Sequence, residues 1–170
     1  GNIGGMKIAK LCSKLSNCFL FVTLKYNILV SILWKKMPVL VINDSKVLFI
    51  HIPKTGGTTI EKWMRTIGKL HLYSPLAAPA FKVTPQHFTI SDIKVLFGGL
   101  VEWEYAFAVV RDPYRRIESE FYYSTEFAFK RFGERPDFSH WFLHQMNLYA
   151  QNKSHGDNHF RPQYEFIDES

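Results

Sequence analysis

Residues 49–59 read FIHIPKTGGTT, and this stretch predicts a buried strand, a glycine-containing turn and the start of a helix. The apolar run 46–52 is rich in β-forming residues. From Ile60 to Ile67 apolar side chains recur at helical spacing, and Gly68 then offers a stop. A strand that passes through a short turn into a helix is the repeating unit of α/β folds.

The segments on either side continue this alternation. A short apolar run at 38–43 predicts a strand before residues 49–59. Residues 69–89, which contain three prolines, predict a surface loop after the helix. Ser91 and Asp92 predict the start of a short helix that ends at Phe97. The remaining predicted elements are a strand at 105–110, a helix from Pro113 to about Lys130 and a helix at 138–151. The chain is therefore expected to form a single α/β domain, with a parallel β-sheet flanked by helices.

The turn at residues 53–59 has the composition of an anion-binding site. Gly56 and Gly57 let the backbone approach a ligand closely and direct its N–H groups at an anion. The following helix N-terminus adds a partial positive charge. Side-chain donors flank the glycines: Lys54, Thr55, Thr58 and Thr59. These features predict a phosphate or sulfate cradle, and the alternative is a turn that merely requires glycine.

The order of residues in this turn differs from a Walker A loop, in which the lysine follows the last glycine. Here Lys54 precedes both glycines. The order P-K-[TS]-G-[GT]-T resembles the 5′-phosphosulfate loop of sulfotransferases that use 3′-phosphoadenosine 5′-phosphosulfate. The form HIPKTGGTT resembles the carbohydrate-sulfotransferase branch, which contains Golgi enzymes and bacterial relatives. The resemblance implies a P-loop-type fold.

A second segment, FAVVRDPYRRIES at residues 107–119, resembles the second element of that family, a strand that ends in R-[DN]-P-x-x-R-x-x-S. Ser119 follows Arg111 by about two helical turns, so both side chains can grip one phosphate. Taken alone, the Arg-Asp-Pro sequence would equally suit a simple helix start. Phe121 stands where the family often has tyrosine, and Tyr122 or Tyr123 is the expected substitute.

Two weaker elements follow in the order that the family shows. Gln86-His87-Phe88-Thr89 resembles its histidine segment, and 159–163 (HFRPQ) resembles its later H-x-x-P-Q signature. The resemblance thus covers residues 47–167. The chain stops at Ser170, where domains of the family continue, so a C-terminal part is expected to be missing.

The resemblance also implies roles in sulfuryl transfer, which depends on positioning and electrostatics. Lys54 would offset charge that grows on the bridging oxygen, and Arg111 with Ser119 would hold the 3′-phosphate. His87 is the first candidate for the general base, and the alternative for it is a surface or structural histidine. Glu61 is the alternative base, or else a solvated helix residue. No metal ion is required. The implied donor-binding residues are Lys54, Thr55, Gly56, Gly57, Thr58, Thr59, Arg111 and Ser119.

Two other functional classes stay open from the sequence alone. A P-loop kinase or NTPase would use Lys54 for ATP and Asp112 for magnesium. A non-catalytic nucleotide-binding module would bind adenosine 3′,5′-bisphosphate without turnover. Magnesium dependence distinguishes the first class from a sulfotransferase, and bisphosphate binding without transfer distinguishes the second.

Composition and charge separate a leader from the domain. The 170 residues are 46% hydrophobic and 21% charged, which excludes a disordered chain and predicts one domain. Residues 1–36 hold six lysines and no acidic residue, whereas 37–170 hold 15 basic and 15 acidic residues, so nucleic acid is not expected as a partner. The expected partner is a carbohydrate or another hydroxyl acceptor.

The leader, residues 1–36, contains an apolar stretch that Lys25 interrupts. An amphipathic helix is expected there, packed on the domain or touching a membrane surface through residues 7–36. The alternatives are a signal anchor and a disordered or artefactual extension. Both cysteines lie in this leader, so no disulfide framework holds the domain. A cytoplasmic or membrane-associated location of bacterial type is favoured, and a type II Golgi membrane protein is the alternative.

Overall fold

The computed structural model describes residues 39–71, 82–97 and 102–168. The predicted leader and its membrane-surface segment lie outside these residues. Within the part of the chain that is described, none of the helices combines the length and the apolar character needed to cross a membrane.

The centre of the fold is a four-stranded sheet in the order β3-β1-β2-β4. Its strands are β1 (Val39–Ile42), β2 (Ser45–Ile50), β3 (Lys69–His71) and β4 (Tyr105–Ala108). β1 pairs antiparallel with both β2 and β3, and β2 pairs parallel with β4. The predicted single α/β domain is confirmed, and among the described strands the parallel pairing is confined to β2 and β4.

The antiparallel start of the sheet has a local cause. Asn43 and Asp44 form a two-residue connection with φ angles of 46° and 69°. Two consecutive left-handed residues are the requirement of a type I′ hairpin turn, and asparagine and aspartate tolerate that conformation. This turn reverses the chain direction, so β1 and β2 pair antiparallel and not parallel.

Five helices and two short 3₁₀ helices surround the sheet in the described residues. They are α1 (Gly57–Ile67), a 3₁₀ helix at Pro85–His87, α2 (Ile90–Phe97), α3 (Pro113–Ser124), α4 (Glu126–Phe132), α5 (Phe138–Gln151) and a 3₁₀ helix at Gln163–Phe166. The predicted long helix from Pro113 is therefore two helices. At the break, the Thr125 hydroxyl donates to the carbonyl of Phe121 at 2.6 Å, a side-chain bond that competes with helix propagation. The predicted loop 69–89 contains β3 and the first 3₁₀ helix.

The core lies on both faces of the sheet because side chains of β2 alternate in direction. Phe49 packs with Met64 of α1 on one face. Leu48 and Ile50 pack on the other face with Ile93 of α2. The sheet is thus covered on both sides, which leaves its ends as the place for a ligand.

The parallel β2–β4 pair positions the site. Ile50 at the end of β2 lies opposite Ala108 at the end of β4. The turn that follows β2 and the Arg111 segment that follows β4 therefore leave the same edge of the sheet. Ligands of open α/β sheets bind at this edge, beyond the carboxyl ends of the strands.

Candidate active site

The turn after β2 forms one wall of the site. Lys54 and Gly56 have φ angles of 66° and 91°, and α1 begins at Gly57. The Thr55 hydroxyl donates to the carbonyl of Ile52 at 2.8 Å, so this buried side chain stabilises the turn and does not face a ligand. The first N–H groups of α1 point out of the helix N-terminus, as an anion cradle requires.

Gly57 is required by a close approach to His51. A Cβ atom at position 57 would lie only 2.1 Å from Nε2 of His51. Any larger residue would displace either the imidazole or the turn. The glycine therefore allows the His51 ring to pack directly beneath the anion-binding turn.

A cleft of about 370 Å³ opens over this turn. Eight of the ten predicted site residues line it: Lys54, Gly56, Gly57, Thr58, Thr59, His87, Arg111 and Ser119. Thr55 and Glu61 do not. The lining also contains Tyr123, one of the two expected tyrosine substitutes. Four further lining residues had no site role assigned from the sequence: His51, Pro53, Gln86 and His159. Both His51 and His159 stand inside the quoted motifs, which is the signal that could have identified them.

Lys54 is held in the cleft by an aromatic ring. Its Nζ lies 3.9 Å from the centroid of the Tyr123 ring, a cation–π contact. Burial lowers the pKa of Lys54, Glu120 opposes this shift, and Arg111 adds to it. Of the two expected tyrosine substitutes, Tyr123 lines the cleft and Tyr122 lies in a neighbouring groove.

Arg111 and Ser119 lie in the same cleft as the turn, and Nη1 of Arg111 is 3.4 Å from the carbonyl oxygen of Lys54. The backbone of Arg111 is fixed by Gln163. The Gln163 amide donates to the Arg111 carbonyl at 2.8 Å, and its oxygen accepts from the Arg111 N–H at 2.9 Å. Gln163, the last residue of the H-x-x-P-Q element, thus pairs with the Arg111 backbone as a neighbouring strand would and fixes the segment that follows β4.

Arg116 joins the anion-binding turn to the H-x-x-P-Q element. Its Nε donates to the carbonyl of Pro53 at 2.9 Å, and its two terminal nitrogens donate to the carbonyls of Arg161 (2.9 Å) and His159 (2.8 Å). The side chain is buried, and burial lowers its pKa to about 10 although Glu120 opposes the shift. One guanidinium therefore satisfies three carbonyls from two separate segments, the turn after β2 and the H-x-x-P-Q element.

Arg116→Lys is expected to lower the free energy of unfolding by about 3 kcal/mol, because lysine cannot reach three divergent carbonyls and leaves buried acceptors unpaired. The measurement is the midpoint of urea unfolding. The matched control is Arg115→Lys, since the Arg115 side chain is exposed and pairs with the neighbouring Glu118 on the same helix. The unfolding midpoint of this control should barely move. Equal midpoints for the two variants would contradict the role of Arg116.

Three histidines line the cleft, and each bonds a carboxylate through Nδ1. The three pairs are His51–Glu61 (2.7 Å), His87–Asp157 (2.7 Å) and His159–Glu120 (2.6 Å). His87 lies between the other two, with ring centroids 5.2 Å from His51 and 5.0 Å from His159. When a carboxylate accepts from Nδ1–H of a neutral imidazole, the other nitrogen, Nε2, is free to accept a proton.

Glu61 is neither a solvated helix residue nor part of the cleft wall. Its residue exposure is 1%. Its Oε1 accepts from His51 and from the amide of Gln86 at 3.1 Å, while its Oε2 is buried without a hydrogen-bond partner. Glu61 therefore reaches the cleft only through its bonds to His51 and Gln86, both of which line it.

His87 is the buried last residue of the first 3₁₀ helix. Burial lowers its pKa below the usual value, and the hydrogen bond and charge of Asp157 oppose the shift. A lowered pKa favours the neutral ring, which is the form that a general base needs.

Among the described residues, one group of three has metal-ligand-type atoms close together: His87, Asp157 and His159, within 4.8 Å of one another. The facing atoms of Asp157 and His87 bond each other. This is the arrangement of a hydrogen-bonded acid–base pair, and independence from metal ions stays a prediction.

Comparison with known proteins places the cleft within a recognised domain. A family model described as Sulfotransferase family matches residues 37–168. Searches of curated proteins and of solved structures found no match to the chain. The matched range contains every residue that lines the cleft.

Proposed function

Because the chain belongs to the sulfotransferase family, we propose that it moves a sulfuryl group from 3′-phosphoadenosine 5′-phosphosulfate to a hydroxyl of a carbohydrate acceptor. The observation that carries the proposal is the meeting of two anion sites in one cleft, the Lys54 turn and the Arg111–Ser119 pair. A donor with phosphate groups at both ends of its ribose needs two such sites. The carbohydrate class follows from the resemblance of HIPKTGGTT to the carbohydrate branch.

The donor is proposed to bind with its 5′-phosphosulfate on the turn. The backbone N–H groups at Gly57 and Thr58 and the Lys54 ammonium face this group, which carries charge on both its phosphate and its sulfate. The 3′-phosphate lies against Arg111, whose guanidinium makes charge-assisted bonds, and against the Ser119 hydroxyl. ATP and ADP have no phosphate at the 3′ position, so the Arg111–Ser119 pair would favour the proposed donor over them.

The chemical step is an in-line displacement at sulfur. The acceptor oxygen bonds to sulfur while the bond from sulfur to the bridging oxygen breaks, and adenosine 3′,5′-bisphosphate leaves. Lys54 stabilises charge on that bridging oxygen. The acceptor hydroxyl is a weak nucleophile, so its proton passes to Nε2 of His87.

The kinase alternative finds little support in the geometry. Asp112, its proposed magnesium ligand, accepts a hydrogen bond from the backbone N–H of Arg115 at 2.9 Å and so caps α3. It does not line the cleft. Magnesium dependence of turnover remains the direct test of that class.

Adenosine 3′,5′-bisphosphate is expected to raise the melting temperature more than ADP at equal concentration. Saturation at 100 times Kd corresponds to about 2.7 kcal/mol of added stability. The measurement is a thermal-shift titration of the wild type, Arg111→Gln and, as a matched control, Arg115→Gln.

Only Arg111→Gln should lose the preference for the bisphosphate over ADP, because Arg115 is exposed and lies outside the cleft. Equal shifts from both nucleotides in the wild type would remove the 3′-phosphate assignment. Bisphosphate binding without transfer to any hydroxyl acceptor would favour the non-catalytic module.

A further inference from the structure

We propose that Asp157 is a positioning residue, which keeps the proton of His87 on Nδ1 so that Nε2 faces the acceptor hydroxyl as the base. This inference rests on the proposed function, because it assigns a partner to the proposed base. It adds a residue that neither the anion-binding turn nor the Arg111 segment contains.

The hydrogen bonds of Asp157 determine which atom carries the proton. Oδ2 accepts from Nδ1 of His87 and from the hydroxyl of Thr84, each at 2.7 Å, and Oδ1 accepts from the Thr84 backbone N–H. An ionised carboxylate only accepts, so the proton between Asp157 and His87 belongs to the imidazole. Burial raises the pKa of Asp157, but the bonds from His87 and Thr84 outweigh burial and hold the pKa below its usual value.

A left-handed turn delivers this carboxylate to His87. Gly156, Asp157 and Asn158 have φ angles of 61°, 60° and 64°. Two consecutive non-glycine residues in this region are rare, although aspartate and asparagine tolerate it best. Such strain persists where surrounding contacts hold it, and it concentrates at functional sites.

The contacts that hold the turn are contacts to the His87 segment. The buried Asn158 amide donates to the backbone carbonyl of His87 at 3.0 Å, while Asp157 binds the side chain of the same residue. These bonds join positions 71 and 70 residues apart. One turn therefore fixes both the backbone and the ring of the proposed base.

The neighbours of His87 make the choice of nitrogen important. The charged and titratable groups that face it are Asp157, His51 and His159. His51 and His159 already bond their own carboxylates, Glu61 and Glu120. Asp157 is thus the carboxylate that sets the tautomer of His87. In the other tautomer, Nε2 would carry a proton and would not accept one from the acceptor.

The first test needs no acceptor. In nitrogen-15 NMR of the histidine-labelled wild-type chain at pH 7.5, the His87 signals, assigned by comparison with His87→Gln, should show a proton on Nδ1. A proton on Nε2 would overturn the proposal. Because this readout is independent of turnover, it separates failure of the inference from failure of the proposed function, which would appear as absence of sulfuryl transfer by the wild type.

The second test compares Asp157→Asn with Asp44→Asn. Both aspartates have left-handed backbones, φ 60° and 69°, and asparagine tolerates both. Asp44 is exposed in the β1–β2 turn, so its variant should transfer at the wild-type rate. In Asp157→Asn the amide N–H competes for Nδ1 and favours the wrong tautomer. The expected loss is about 10²-fold in kcat, by analogy with other histidine-orienting carboxylates.

The affinity of Asp157→Asn for adenosine 3′,5′-bisphosphate should stay within about threefold of wild type, because tautomer choice acts on proton transfer and not on donor binding. A merely structural residue would lower both. Asp157→Glu should recover part of kcat, since it restores an acceptor-only group. Wild-type kcat in Asp157→Asn would overturn the proposal, as would equal losses of kcat and bisphosphate affinity. Should Asp157→Asn fail to fold, the wild-type NMR measurement decides alone.

Discussion

Lys54→Ala is expected to lower the rate of sulfuryl transfer by about 10²–10³, which corresponds to 3–4 kcal/mol of transition-state stabilisation. The ammonium lies in the cleft over Tyr123, and in the proposed donor pose it would face the bond that breaks. The melting temperature should change little, because the side chain is only half-buried and contributes little to the core. The measurement is transfer of labelled sulfate from the donor to a panel of hydroxyl-bearing glycans.

Lys62→Ala is the control for Lys54→Ala, since Lys62 is an exposed lysine on the neighbouring helix α1. It should transfer at the wild-type rate. Activity of Lys54→Ala within a few fold of wild type would remove Lys54 from its role. The pH profile offers a further check: burial lowers the pKa of Lys54, so its charged form is lost earlier as pH rises, and transfer should decline below the pH at which an ordinary lysine titrates.

His87→Ala is expected to depress kcat by about 10²–10⁴ while leaving the affinity for adenosine 3′,5′-bisphosphate nearly unchanged, because a general base acts on the transition state. In the wild type, the neutral ring is the active form. Since burial lowers the pKa of His87, transfer should persist as pH falls to the usual histidine value and be lost only below it. The measurements are kcat against pH and bisphosphate calorimetry.

Two variants accompany His87→Ala. His144→Ala removes an exposed histidine of α5 that does not line the cleft. This control should leave kcat and the bisphosphate affinity at their wild-type values. Glu61→Gln should have a mild effect on kcat, because Glu61 does not line the cleft and reaches it only through its bonds to His51 and Gln86. The reverse pattern, with Glu61→Gln inactive and His87→Ala nearly normal, would make the glutamate the base.

The parts of the site that lie in contiguous motifs could be predicted from the sequence. The strand, turn and helix around FIHIPKTGGTT follow from local patterns, and Gly57 lines the cleft as expected. Arg111 meets the turn because β2 and β4 are parallel neighbours. Local periodicity and residue order carried these predictions, since each concerns residues a few positions apart.

The parts that depend on distant residues could not be predicted in this way. The carboxylate that bonds His87 is 70 positions away, and the one that bonds His159 is 39 positions away. Many acidic residues of the chain could have filled either place, and only the tertiary fold selects among them. Likewise, Arg116 carries no local sign of burial, because its partners are backbone carbonyls, which every residue possesses.

The bonds of Arg116 and Gln163 also determine when the cleft forms during folding. They join residues 43 to 63 positions apart. Each bond therefore forms only after a long loop has closed, at a cost in chain entropy. The hairpin β1–β2 needs only a two-residue turn. The β1–β2 hairpin can therefore form early, whereas the cleft closes late and reopens first. Bound donor would slow hydrogen exchange most strongly at these late contacts, far more than in the hairpin.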